Sequence, residues 1–171
     1  VLMAGEIINR MTMMEIINII ATANFRGELH VLGGGPTRLS AFDQMAAWGL
    51  GLYLYGPKDD LHHRAIWREP YGAADLASLA ALVEACHARG LRFVYGIGPG
   101  LDIRYGATSD RQRLRDRCAQ MLAIGVDGVA LLFDDIPGRI DASDVARWGS
   151  LAAAQADVAN EAQVQAMVAT V

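Results

Sequence analysis

Short apolar runs alternate with longer segments of helical spacing, and the lengths of the connections between them are strongly asymmetric. The runs GLYLYG (51–56), LRFVYGIG (91–98) and VDGVALLF (126–133) are nearly continuous in apolar and β-prone residues, and ELHVL (28–32) reads as a shorter one ahead of the loop GGGPT (33–37). Between them lie helical segments at 38–48, 73–90 and 110–125. The second carries apolar residues at 76, 79, 80, 83 and 86 and closes at Gly90, and the third has its charges on an outer face. Residues 142–169 read as mostly helix, broken or bent near Gly149. Continuous apolar strands alternating with helices specify an α/β fold, a parallel sheet covered by helices, here with about four βα units. The long polar loops, 56–71, 98–109 and 134–142, all follow strands, whereas the returns at 49–50, 90 and 125 are short. Function on such a sheet belongs at the C-terminal ends of its strands.

At 171 residues the chain is long enough for one domain with a real core, and 53% hydrophobic residues argue against disorder. A net charge of −4 with no basic cluster argues against a nucleic-acid partner. The longest apolar stretches fall short of a membrane span. Residues 11–23, MTMMEIINIIATA, have Glu15 inside the apolar run and read as an amphipathic helix rather than a signal peptide. A cytoplasmic location is expected on that basis, with secretion the alternative if the N-terminus is incomplete. Cys86 and Cys118 fall in separate helices without metal-ligand spacing and read as reduced core thiols.

The end of the last strand run, LLFDDIPG (131–138), sets two adjacent carboxylates against an apolar strand. Consecutive strand residues face opposite ways, so Asp134 and Asp135 can share a pocket only where the strand has ended, and Ile136-Pro137-Gly138 supplies such a turn. Two nearby carboxylates titrate as a coupled unit, with one ionised and one protonated near neutral pH, which suits general acid–base chemistry. A helix N-cap with a solvated neighbour, or a Mg²⁺ site, fits the same dipeptide. Adjacent His62 and His63 are poor joint zinc ligands.

Three segments in register go further: LYLYGPKDDLHHRAIWREPY (52–71), FVYGIGPGLDIRY (93–105) and ALLFDDIPG (130–138). Together they resemble glycoside hydrolase family 84, the O-GlcNAcase and bacterial β-N-acetylglucosaminidase family, over about Gly49 to Asn160. The resemblance implies a (β/α)₈ TIM barrel, of which this chain would hold the first half (38–171) after a divergent N-terminal segment with the first strand (1–37). It implies hydrolysis of terminal β-linked N-acetylglucosamine with retention, the substrate's own acetamide oxygen attacking to give an oxazoline, a known exception to the two-carboxylate scheme. On that match Asp134 orients the acetamide, Asp135 is the general acid/base, and Lys58 contacts the sugar. The backbone carbonyl at Val31 takes the place of one that holds the sugar. Asp102, in the loop after the third strand, is a candidate substrate contact or a hydrogen-bond acceptor that orders the loop. His63 is a loop-packing residue, and Trp67, Arg68 and Glu69 brace their loop. No metal or other cofactor is implied. The partner is a glycan or glycoprotein bearing N-acetylglucosamine.

The sequence departs from the family in two places. RGELHVLGGGPT (26–37) keeps only Gly34 and Pro36 of the first-strand motif, with His30, Val31 and Gly33 where the family has Glu, Gly and Tyr. Four strands fall short of the eight such a barrel needs in about 250 residues. The expectation is therefore a fragment of a longer enzyme, or self-association through exposed half-barrel edges. A catalytically inactive sugar-binding or interaction module and a Mg²⁺-dependent phosphohydrolase are the competing functions.

Overall fold

The computed structural model describes residues 36–57, 60–133 and 141–168, with side chains between 39 and 161. The expected strand at 28–32 and helix at 11–23, together with Val31, Lys58, Asp134 and Asp135, lie outside the described residues. In chain order the elements are α1 (Pro36–Ala47), β1 (Leu52–Tyr55), α2 (Ala73–His87), β2 (Arg92–Ile97), α3 (Thr108–Ala123), β3 (Gly128–Leu131), α4 (Ala142–Trp148) and α5 (Leu151–Val168). Short 3₁₀ turns at Leu61–His63 and Pro99–Leu101 punctuate the loops after β1 and β2.

The three described strands form one parallel sheet in the order β1-β2-β3. Leu52 pairs with Arg92 and Tyr55 with Tyr95, while Val94 pairs with Gly128 and Ile97 with Leu131. Strand alternation divides the side chains cleanly. Tyr53, Tyr55, Phe93, Tyr95 and Ile97 belong to the main core with Phe42 and Met45 of α1, Leu79, Val83 and Cys86 of α2, Leu114 and Met121 of α3, and Ala154 and Val158 of α5. Phe42 meets Tyr53 edge-on at 4.9 Å between ring centroids, which seats α1 on this face. The opposite face carries a second cluster, Leu52, Val94 and Ala130 with Leu54 and Leu132, made among the described residues of strand-end and strand side chains alone. Gly96 belongs to that face by alternation: a Cβ there would lie 3.0 Å from both Leu132 Cδ1 and the Tyr55 carbonyl.

One expectation is corrected. The charges of the third helical segment do not all face outward: Asp110 and Arg117 are buried, each held by partners from the loop after β1. The last segment is broken rather than bent near Gly149, which adopts φ 72° and stops α4. Among the described residues no helix is long and apolar enough to cross a membrane. Cys86 and Cys118 are buried and unpaired.

Candidate active site

The loops after β1 and β2 are fixed at the C-terminal end of the sheet by two polar networks, the first buried and the second partly exposed. The first centres on Asp60. Its Oδ2 accepts from Tyr55 at 2.8 Å and Tyr71 at 2.5 Å, and its Oδ1 accepts from the His62 amide at 3.0 Å, capping the 3₁₀ turn. Its own amide donates to the Pro57 carbonyl at 3.2 Å. Tyr71 in turn lies 3.1 Å from the Tyr95 hydroxyl and stacks on His62 at 4.5 Å. Arg117 reaches in from α3 and donates to Tyr95 at 2.9 Å, to the His62 carbonyl at 2.7 Å and to the Glu69 carbonyl. Its guanidinium lies 4.5 Å above the Tyr71 ring. Burial above all, reinforced by Tyr95 and Asp60, pushes the Tyr71 phenol well above its ordinary pKa. Burial likewise takes Tyr95 up to about 12, against the pull of Arg117. These phenols stay neutral donors, which suits a scaffold rather than a proton relay.

The second network joins one loop to the other. Trp67, fully buried, donates its indole N–H to Asp102 Oδ1 at 2.8 Å. Arg68 donates to Asp102 Oδ2 at 2.6 Å and the Asp102 carbonyl at 2.9 Å, and to both oxygens of Asp110 at 3.1 and 2.8 Å. Arg104 adds its amide at 2.9 Å and two guanidinium bonds to the same Asp110 carboxylate. Burial opposes ionisation of Asp110, but the two guanidiniums and the amide outweigh it and hold the carboxyl well below the usual range.

A third tie secures the chain from Asp141 onward. Asp141 caps α4 through the Ser143 amide at 2.8 Å. Buried Asp144 accepts the amides of Tyr105 and Gly106 at 3.0 Å each. Just after β3, Leu132 donates to the Ile97 carbonyl at 2.8 Å and Phe133 packs 6.2 Å from Tyr105. Arg111 links Tyr105, Asp157 and Glu161, which docks α5 on α3.

Of the residues singled out from the sequence, Asp102 is described, and its carboxylate is engaged by Trp67 and Arg68 with 57% of the side chain exposed. Trp67 and Arg68 brace their loop as expected, and Glu69 does so through its carbonyl. His63 is buried, and its carbonyl accepts the Gly98 amide at 2.7 Å, joining the two loops again. Tyr71, Arg117, Asp110 and Asp144 were not read as site-forming. For Arg117 the available signal was a charge among the apolar helical positions Leu114, Cys118 and Met121. Among the described residues no group of three His, Cys, Asp or Glu side chains could hold a metal ion.

A family model described as NAGidase, beta-N-acetylglucosaminidase, matches residues 35–170, spanning all three strands and the loops that follow them. The chain belongs to this β-N-acetylglucosaminidase family. It is 37% identical over 124 residues to Protein O-GlcNAcase of Rattus norvegicus and to that of Mus musculus, matching 72% of this chain and 14% of each relative. Among solved structures, an O-GlcNAc hydrolase variant of Thermobaculum terrenum superposes with a TM-score of 0.72 at 34% identity, covering 78% of this chain and 29% of the other. The protein named CpGH84B gives a TM-score of 0.65 at 28% identity over 81% of this chain and 22% of the other. The chain thus spans under a third of each solved neighbour and about one seventh of each curated relative. Its fold is that of a glycosidase α/β barrel in part, with parallel strands and helices on the outer face.

Proposed function

We propose that this chain carries the acid-pair segment of a retaining β-N-acetylglucosaminidase acting on terminal β-linked N-acetylglucosamine. The supporting observation is that the family match covers the three strand ends and the braced loops after β1 and β2 together, with Lys58 three residues beyond β1 and Asp134 three residues beyond β3 in the chain. The proposed reaction uses the substrate's 2-acetamido oxygen as nucleophile. Asp134 accepts the acetamide N–H and steadies the charge that develops on the ring it closes. Asp135 protonates the departing oxygen and then takes a proton from the water that opens the oxazoline. Adjacent carboxylates raise one pKa at the expense of the other, so an ionised and a protonated group coexist near neutral pH. Lys58 and the carbonyl of Val31 are assigned to the sugar. Asp102, already bonded on both oxygens but open to solvent, is assigned to a substrate hydroxyl.

Because binding energy from remote hydroxyls places the reacting atoms, the 171 residues alone are expected to turn over little substrate. Turnover is proposed of a catalytic domain that contains this segment. The test is hydrolysis of an aryl β-N-acetylglucosaminide by the chain and by a domain of full barrel length that contains it, each beside Asp135→Asn. Turnover in the longer form that collapses in the variant supports the reading. A folded barrel that hydrolyses nothing, yet binds N-acetylglucosamine, would leave an inactive sugar-binding module in its place. Inhibition by EDTA would favour the metal-dependent alternative.

A further inference from the structure

Tyr105, in the loop after β2, is buried and has each of its groups committed to a different element. Its amide donates to Asp144 of α4 at 3.0 Å, and its carbonyl accepts from Arg111 of α3 at 2.6 Å. Its hydroxyl lies 3.5 Å from the Gln155 amide nitrogen of α5, at the limit of a hydrogen bond. Its ring packs at a tilt of 43° against Phe133, with the centroids 6.2 Å apart. Phe133 immediately precedes Asp134 in the chain, and Leu132 before it donates to the Ile97 carbonyl at 2.8 Å. Gly106 lets α4 come this close, since a Cβ there would stand 2.8 Å from Asp144 Oδ1. One residue thus touches both the side chain just before the acid pair and the helix that comes next in the chain. Filling volume would need the ring alone, whereas the amide and carbonyl bonds fix where that ring stands. Two rings in contact also favour particular tilts, so the pair sets direction as well as distance, which an aliphatic contact does not.

We propose that Tyr105 is a positioning residue for the acid pair, acting through Phe133 on Asp134 and Asp135. It touches no substrate: its ring holds Phe133, and the peptide bond from Phe133 carries that placement to the carboxylates. This deepens the proposed glycosidase reading and rests on it. General acid catalysis contributes about 10²–10⁴-fold, and a misplacement of about 1 Å costs on the order of 10²-fold, so loosening the contact should remove part of the acid's contribution. The loss should depend on the leaving group. A weakly acidic phenol needs the proton that Asp135 supplies as it departs, and a dinitrophenol hardly does.

The test measures kcat/KM of a barrel-length domain containing this chain on phenyl and dinitrophenyl β-N-acetylglucosaminides. Tyr105→Leu is expected to lose about tenfold or more on the phenyl substrate and less than about threefold on the dinitrophenyl one. A variant that is merely less folded loses the same factor on both, so the ratio reads position and not stability. Tyr105→Phe keeps the ring and the backbone bonds and is expected to recover most of the loss. Phe133→Leu alters the contact from its other side and should reproduce the pattern, which keeps the test open if Tyr105→Leu does not fold. The double variant should lose no more than the larger single one. Equal losses on the two substrates, or a Tyr105→Phe variant as poor as Tyr105→Leu, overturn the proposal. A wild-type barrel that hydrolyses neither substrate overturns the glycosidase reading itself, and this proposal with it.

Discussion

Replacing Asp110 by Ala tests the junction between the two loops directly. Its side chain is 2% exposed, and both oxygens are bonded to Arg68, whose own side chain is 28% exposed. Removing one partner of a buried ion pair costs roughly 3–5 kcal/mol, because the other charge is left without compensation. The lower end applies here, since Arg68 keeps Asp102 and part of its surface meets water. Arg104 is largely exposed and its ion pair is discounted accordingly. The expected loss is about 3 kcal/mol. With a urea m-value on the order of 2 kcal/mol/M for a domain of this size, the unfolding midpoint falls by about 1.5 M. Acid supplies a second check. A carboxyl whose folded pKa is depressed contributes stability that is fully present above its unfolded pKa and is lost as the pH falls through the folded one. An unfolded value near 3.9 means that the gap between wild type and variant narrows by about 1.3 kcal/mol between pH 7 and pH 3. Urea unfolding at both pH values, followed by tryptophan fluorescence and far-UV dichroism, measures both quantities. A gap below about 1 kcal/mol at pH 7, the level of an exposed pair, would refute the burial argument. A gap that stays constant into acid would refute the electrostatic one.

Other expectations follow from the same contacts. Gly106→Ala sets a Cβ 2.8 Å from Asp144 Oδ1, so it and Asp144→Ala should each destabilise the chain while the double variant loses less than their sum, which a double-mutant cycle by urea unfolding measures. Arg117→Met leaves the His62 and Glu69 carbonyls and the Tyr95 hydroxyl without their donor, and about 3 kcal/mol should be lost in the same assay, with Arg117→Lys recovering only part. Burial raises the thiol of Cys86 to about 12 and that of Cys118 to about 11. Neither should react with a thiol reagent at pH 8 until the chain unfolds, and labelling that tracks urea unfolding would bear this out.

The elements were legible because the sequence carries them locally. The strand runs 91–98 and 126–133 differ from β2 and β3 only at their ends, where the chain turns out of the ladder. Gly90 was read as closing the second helix, and it does so three residues beyond the last helical residue, at φ 73°. What the sequence did not disclose is the pairing across distance. Arg68 and Asp110 are 42 residues apart and Asp144 and Tyr105 39 apart, and nothing in either neighbourhood marks one as the other's partner. Periodicity even misled at α3, where Asp110 and Arg117 looked like surface charge because charge usually is. The loops after β1 and β2 take up enough volume above the helix end to bury them. The residues that carry the family resemblance in LLFDDIPG are legible in the sequence for the opposite reason: they lie side by side in the chain.

The bracing residues and the proposed reacting residues are different sets, and the separation follows from the fold. Catalytic groups on a barrel come from the ends of different strands, so no local structure fixes their mutual geometry. Here the strand register sets the strand ends, and the loops are then tied to each other rather than to the sheet alone: His63 to Gly98, Trp67 and Arg68 to Asp102 and Asp110, Tyr105 and Gly106 to Asp144. Each tie links segments at consecutive strand ends, so a displacement of one loop is passed to the next. Near-attack geometry tolerates errors well under 1 Å, and a chain of linked hydrogen bonds, several of them charge-assisted, serves to hold it. A substitution in these ties should therefore act on kcat by moving Asp135 against the sugar, and less on KM, which the sugar's hydroxyl contacts dominate. Arg68→Lys in an active barrel-length domain is the sharpest case, because the charge is retained while the fork that reaches two carboxylates at once is lost. A rise in KM with kcat unchanged would show that the loops are tied for substrate capture instead.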